Sequence, residues 1–290
     1  MKSPYFEGPT SKSPKASLAS LREIFRAAQD DAEIEAFARS LESDGRIGAR
    51  ALREQALRRL QGNRREGERM QRLLALRDSL VLRGVRGVAG IDEVGVGPLA
   101  GPVVAAAVVL PKTFVLQGLD DSKRVRPARR ESLAAEIRSI AVGLGIGEVS
   151  VEEIDQVGIF QAALEAMRRA VKSLERVATV DHLLVDARTV PGVTQPQTAI
   201  IRGDQKDASI AAASIVAKVH RDTLMKTLGQ RYPAYGFERH MGYGTETHMQ
   251  VLERVGPCPA HRRSFAPVEK AERRLSRAPS PLAPAQAPGS

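Results

Sequence analysis

No tryptophan occurs in these 290 residues, aromatics make up 4% of them, and there is a single cysteine, Cys258. Each scarcity excludes something. One thiol cannot build an internal disulfide framework or a cysteine-rich zinc site. With so few rings, the core of a chain that is 42% hydrophobic must pack through aliphatic side chains. The longest apolar run, Gly101 to Pro111, is too short to span a bilayer. The N-terminal stretch MKSPYFEGPTSKSPK lacks the apolar segment of a secretory signal. Internal repeats are missing too. These gaps lead us to expect a soluble, cytoplasmic protein with no membrane partner; a monomer is the expected state, though nothing in the sequence fixes it.

Positive charge, by contrast, is abundant. The formal net charge is +10 and the pI about 10.1. Such a balance favours a polyanionic partner, although charge alone does not separate nucleic acid from a membrane surface.

Composition divides the chain into three zones: a helical extension over residues 1–85, a catalytic zone over 86–266 and a tail over 267–290. In the first, helices are expected from about Ser17 to Ser43 and from Gly48 to Leu82. Leu52, Leu57, Leu60, Met70, Leu73, Leu74 and Leu76 recur near a 3.6-residue period in the second. Residues 46–86 carry 12 Lys/Arg against 4 Asp/Glu, which makes this helix amphipathic and basic. A solvated face and a nucleic-acid contact surface fit that pattern equally well. From Arg86 the pattern changes to alternating strands and helices. Val88–Val94 and Val103–Leu110 suit an antiparallel hairpin, and His182–Asp186 and Thr198–Arg202 are short apolar strands. A helix over Ala208–Leu228 is opened by Asp207 or Asp204 as its cap. The fold class is therefore α/β, a mixed sheet flanked by helices. The Pro/Ala/Ser-rich tail from about Pro267 is expected to be disordered.

The informative feature is where acidic residues interrupt apolar strands. GVAGIDEVGVGPLAG places Asp92 and Glu93 within a run that otherwise reads as a buried strand. HLLVDAR ends a second strand on Asp186, and TAIIRGDQK puts Asp204 just beyond a third. A charge taken into a sheet is costly unless paired or bound to a cation. Four at strand ends, where open α/β sheets build their sites, suggest a shared ion. Ligands that are all oxygen select Mg²⁺ or Mn²⁺. Two such ions stabilise the attacking and leaving oxygens of an in-line phosphoryl displacement, with no protein nucleophile. Singly, Asp204 also reads as a helix cap and Asp186 as a turn residue. Neighbours on a regular strand face opposite ways, so Asp92 and Glu93 share a site only if the strand bulges or ends; Gly95 and Gly97 allow that.

Taken in order, GIDEVGVGPLAGPVVAAAVVL, LDDSK, EEID, AALEAMRRAV, LLVDAR, GDQKDASIAAASIVAKVHRD, YGFERHMGYGTETH and HRRSF resemble ribonuclease HII, the type 2 bacterial ribonuclease H. The resemblance runs from about Arg86 to Pro267, and SLESDGRIGARALREQALRR is similar to a helical extension of some members. It implies a ribonuclease H-like sheet and a metal set of Asp92, Glu93, Asp186 and Asp204. It also implies hydrolysis of RNA/DNA hybrids and of ribonucleotides embedded in duplex DNA, leaving 3′-hydroxyl and 5′-phosphate ends. The family's Gly-Arg-Gly turn, which reads the ribose 2′-hydroxyl and adjacent phosphates, falls on Gly95, Val96 and Gly97. Its stacking tyrosine falls on Tyr243, preceded by Met241 where the family has lysine. Ser122 and Lys123 match a segment near the substrate phosphates. Val96 and Met241 each remove a positive charge beside the substrate, which puts affinity and junction specificity at stake more than chemistry. An enzyme acting on hybrids but poorly on single ribonucleotides, and a non-cleaving binding relative, are the alternative readings. His240, His248 and His261 lack metal-ligand spacing, and Asp120, Asp121, Asp155 and Asp222 read as caps, tuning groups or ion-paired residues.

Overall fold

The computed structural model describes residues 16–277. Two compact units divide inside one long helix, between Gln71 and Arg72. Composition placed the boundary after residue 85, but packing changes earlier because Leu76 and Leu80 already pack with Val88 and Leu184.

The first unit contains α1 (Leu18–Ala27), α2 (Asp31–Ser40) and α3 (Ile47–Leu82) as far as Gln71. The single helix expected from Ser17 to Ser43 is thus two. Ala28 takes an extended ψ of 119°, and the Asp30 side chain then accepts from the Glu33 amide at 2.8 Å to begin α2. Leu21, Phe25, Ile34, Phe37, Leu52 and Ala56 form this unit's own core, with the two phenylalanine rings stacked 5.3 Å apart.

In the second unit, β1 (Val88–Val94) and β2 (Val103–Val109) form the expected hairpin. There follow α4 (Pro127–Ile140), β3 (Gly143–Val149), α5 (Val151–Val157), α6 (Ile159–Glu175), β4 (His182–Asp186) and β5 (Gln197–Ile200). Then come α7 (Ala208–Arg231), α8 (Phe237–His240), α9 (Glu246–Val255) and α10 (Ala266–Arg277). The five strands lie in the order β3-β2-β1-β4-β5, antiparallel across β3-β2-β1 and parallel across β1-β4-β5.

Alternate residues of the hairpin face α6, where Ile91, Ala105 and Ala107 pack with Met167, Ala170 and Leu174. The opposite face meets α7. Its first turn lies so close to β1 that a Cβ on Gly90 would stand 2.0 Å from the Ser209 carbonyl carbon. The cap of α7 is Asp207, which accepts from the amides of Ser209 and Ile210. Two further expectations need correction. The residues from 267 do not begin a disordered tail: Ala266–Arg277 is helical, and Val268 and Ala271 pack on Leu99 and Leu252. Residues 278–290 lie outside the described part. Nor does β1 bulge at its acidic pair, since Asp92 and Glu93 stay in register with Ala106 and Ala105 of β2.

Candidate active site

Pairing is lost instead on the other side of β1. Its parallel ladder with β4 ends at the pair Ile91 and Val185, so Asp92 and Asp186 sit one residue beyond the last shared row. Asp186 stays in register with Ile200 of β5. The chain then passes through Arg202, left-handed at φ 57°, into a single 3-10 turn over Gly203–Gln205 that carries Asp204. The Gly203 amide donates to Asp186 Oδ1 at 2.6 Å, which ties that turn to the end of β4. Asp92 and Asp186 therefore stand at the same end of adjacent strands, Asp204 lies on the turn after β5, and Glu93 follows Asp92 on a strand that stays regularly paired with β2.

Their ionisation reflects that crowding. Burial pushes the Asp92 carboxyl well above its ordinary value, and the charges of Glu93 and Asp186 push it further. Glu93 is raised by burial and by Asp186, against the opposing charges of Arg188 and Lys123. Asp204 rises to about 6, from burial first and then from Asp121 and Asp186. Glu93 Oε2 is buried with no hydrogen-bond partner. Among the described residues, no group of three or more His, Cys, Asp or Glu side chains is placed so as to hold a metal ion. A hard cation bound here would draw on these carboxylates and complete its shell with water or phosphate oxygens.

The loop before α4 closes one side. Asp121 is buried beside Asp204, accepts from the Lys123 amide at 2.8 Å, and lies 3.3 Å from Gln205 Nε2. It is both a turn cap and a neighbour of the carboxylate set. Ser122 is buried too, accepting from Ser214 of α7 at 2.9 Å, and the Ser214 hydroxyl also contacts Asp92. Lys123 keeps an exposed side chain whose charge is felt by Glu93 and Asp204.

The turn after β1 lies against Tyr243, since a Cβ on Gly97 would sit 3.6 Å from its ring. Gly95 has φ +93°, and a Cβ there would meet Arg221 Nε at 2.2 Å, so both backbone angle and space demand glycine. Val96 and Tyr243 are exposed. Two fully buried arginines lie beneath. Arg221 donates to the carbonyls of Ala100, Pro102 and Met241, and Arg262 to those of Gly95, Val96, Pro98 and Gly101.

The histidines form a directed chain rather than a metal site. The Cys258 amide donates to His261 Nδ1 at 3.1 Å, so the remaining proton of neutral His261 is on Nε2. That proton faces His248 Nε2 at 3.0 Å, which leaves His248 Nδ1 to donate to the Tyr243 carbonyl at 2.8 Å. Burial lowers both pKa values, that of His261 to about 4. Reading the sequence left Arg221, Arg262, Ser214 and this chain without a role. The HRRSF segment was the one available signal, because it follows the last strand yet carries a compact group of polar residues.

A mixed five-stranded sheet with carboxylates at the ends of its central parallel strands is the architecture of the ribonuclease H-like nucleases. The ribonuclease HII family model matches residues 89–268. The chain is 53% identical over 233 residues to the ribonuclease HII of Myxococcus xanthus, covering 80% of this chain and 79% of that one. Against the Geobacillus kaustophilus ribonuclease HII the figures are 55% over 203 residues, with 70% and 77% covered. Among solved structures, the ribonuclease H2 of Pyrococcus horikoshii superposes with a TM-score of 0.58 at 27% identity, covering 66% of this chain and all of that one. The chain belongs to the ribonuclease HII family, metal-dependent endonucleases that cleave RNA in RNA/DNA hybrids and ribonucleotides embedded in DNA. No helix of the described residues is long and apolar enough to cross a membrane.

Proposed function

We propose that Asp92, Glu93, Asp186 and Asp204 hold two divalent cations, Mg²⁺ or Mn²⁺, and that hydrolysis at this site leaves 3′-hydroxyl and 5′-phosphate ends. The observation carrying this reading is the buried, unpartnered Glu93 Oε2, in a group where the charge of Asp186 raises the pKa of Asp92, Glu93 and Asp204. Only oxygen donors converge there, which suits hard ions and disfavours zinc. When bound, such cations supply an activated water and neutralise the departing 3′-oxygen. The protein's own groups do the rest. Gly203 fixes the Asp186 carboxylate, Ser214 lies against Asp92, and Asp121 with its neighbours Ser122 and Lys123 borders Asp204. The Gly95-Val96-Gly97 turn, exposed at Val96 and Gly97, and Tyr243 face the duplex, reading the 2′-hydroxyl that distinguishes RNA. The buried single thiol suits a reducing, cytoplasmic setting, and the reading takes the enzyme to act as a monomer.

The test is cleavage of a DNA duplex bearing one ribonucleotide, run beside an RNA/DNA hybrid, with Mg²⁺ or Mn²⁺. The reading expects both to be cut by the wild type and neither by Asp92→Asn. Cutting that survives this substitution would sink the assignment. Val96, exposed where the family carries arginine, favours a second reading in which hybrids are cut well and single ribonucleotides poorly. The ratio of kcat/KM on the two substrates decides between them.

A further inference from the structure

Two segments that the proposed chemistry leaves unused meet each other. Asp155, in the EEID stretch on α5, accepts from the Arg263 amide, the Ser264 amide and the Ser264 hydroxyl at 2.8, 2.9 and 2.6 Å. This clamps the HRRSF segment, whose Arg262 projects under the glycine turn and stacks on Phe265, 5.2 Å from the ring centre. The backbone is tied down as well, for Arg262 N donates to Leu99 O at 2.9 Å and Gly101 N to Ala260 O at 2.8 Å.

Arg262 is 0% exposed and makes no ion pair among the described residues. Its guanidinium reaches Gly95 O at 2.6 Å, Val96 O at 3.0 Å and Pro98 O at 2.7 Å. No peptide bond among the described residues is cis, and in a trans peptide the carbonyl and the next amide point in opposite directions. Drawing the Gly95 and Val96 carbonyls inward therefore turns the Val96 and Gly97 amides outward. Neither amide has an acceptor among the described residues, and both residues are exposed. Successive outward amides make an anion- and hydroxyl-binding concavity. Burial lowers the Arg262 pKa to about 9, so the charge persists at neutral pH.

We propose that Arg262, braced by Asp155, is a positioning residue for ribonucleotide recognition. It aims the Val96 and Gly97 amides at the 2′-hydroxyl and adjacent phosphate, and it supplies from below some of the positive potential that residue 96 lacks. This rests on the reading that the turn meets substrate.

Arg262→Lys keeps the charge and removes the planar fork. On duplex DNA with one ribonucleotide, its KM should rise about tenfold while kcat stays within about twofold. Affinity for the same duplex without the ribonucleotide should not change. A purely structural role would instead reduce the active fraction, lowering kcat at constant KM. Asp155→Ala should raise KM in the same sense by a few-fold, and it decides the matter if Arg262→Lys fails to fold. In the wild type, with EDTA keeping the duplex intact, hydrogen exchange at the Val96 and Gly97 amides should slow with the ribonucleotide duplex and not with all-DNA. Unchanged KM in a folded variant, or amides indifferent to the ribonucleotide, would overturn the proposal. Wild-type cleavage abolished by Asp92→Asn would still stand in that case, so the two failures are separable.

Discussion

Asp186 occupies the point where β1 and β4 stop sharing hydrogen bonds, and it raises the pKa of Asp92, Glu93 and Asp204 alike. Removing its charge has opposite effects on chemistry and fold. Asp186→Asn keeps an oxygen to accept from Gly203 but relieves like-charge repulsion. We expect cleavage to fall by about 10³-fold or more. The melting temperature without added cation should hold or rise, while its increase on adding Mg²⁺ or Mn²⁺ should shrink. Scanning calorimetry with and without cation, beside single-turnover cleavage, checks both halves. At Val96 the change runs the other way. Val96→Arg adds a guanidinium at an exposed position, and one charge-assisted contact is worth about 1.5–3 kcal/mol. KM for a single embedded ribonucleotide should then drop by about tenfold or more with kcat unchanged. The carboxylates were legible in the sequence because charge inside apolar strands is conspicuous. Arg262 and Arg221 were not: on paper each sits among other polar residues, and only the tertiary path of the turn buries it.

The elements tell the same story with a different cause. Helix and strand positions followed from periodicity, including β1, β2, β4 and α7. What periodicity could not give was where packing begins and ends. A polar break at Gln29-Asp30 splits α1 from α2, Arg202 stops β5 early by turning left-handed, and Val268 and Ala271 recruit α10 onto Leu99. No bulge occurs at the acidic pair: Asp92 and Glu93 stay paired with β2, while the parallel ladder of β1 with β4 ends just before Asp92. Beside the site, α7 lies against β1 at Gly90 with no room for a side chain. Gly90→Ala puts a methyl group into backbone, so the helix must move. The expected cost is about 1–3 kcal/mol of stability, measured by urea unfolding. Cleavage should decline further than the folded fraction does, because α7 also carries Ser214 against Asp92.

Across the whole molecule, pH and charge are the variables. His261 titrates near 4 in the fold, against an ordinary value of 6.5, because burial and the charges of His248, Arg263 and His240 disfavour its protonated form. The unfolded chain thus binds more protons between those limits. The stability held by neutral His261 is complete above about pH 6.5 and is lost as pH falls toward 4. Asp204 and Asp207, raised to about 6, act in the opposite sense, so bulk stability alone is a poor readout. The gap in unfolding free energy between wild type and His261→Gln isolates the histidine. It should narrow from pH 7 to pH 5, and a constant gap would count against the tautomer chain. Charge gives the last expectation. Residues 46–86 carry 12 Lys/Arg against 4 Asp/Glu, and each phosphate contact releases counterions on binding. Removing residues 1–71 is the fair truncation, because Leu76, Arg77 and Leu80 belong to the second unit and a cut at 85 would strip them from it. The shortened enzyme should cleave at an unchanged kcat, bind duplex more weakly, and show a shallower dependence of log affinity on log salt. Titrations at several salt concentrations measure that slope. An unaltered slope would make the basic face of α3 a solvated surface and nothing more.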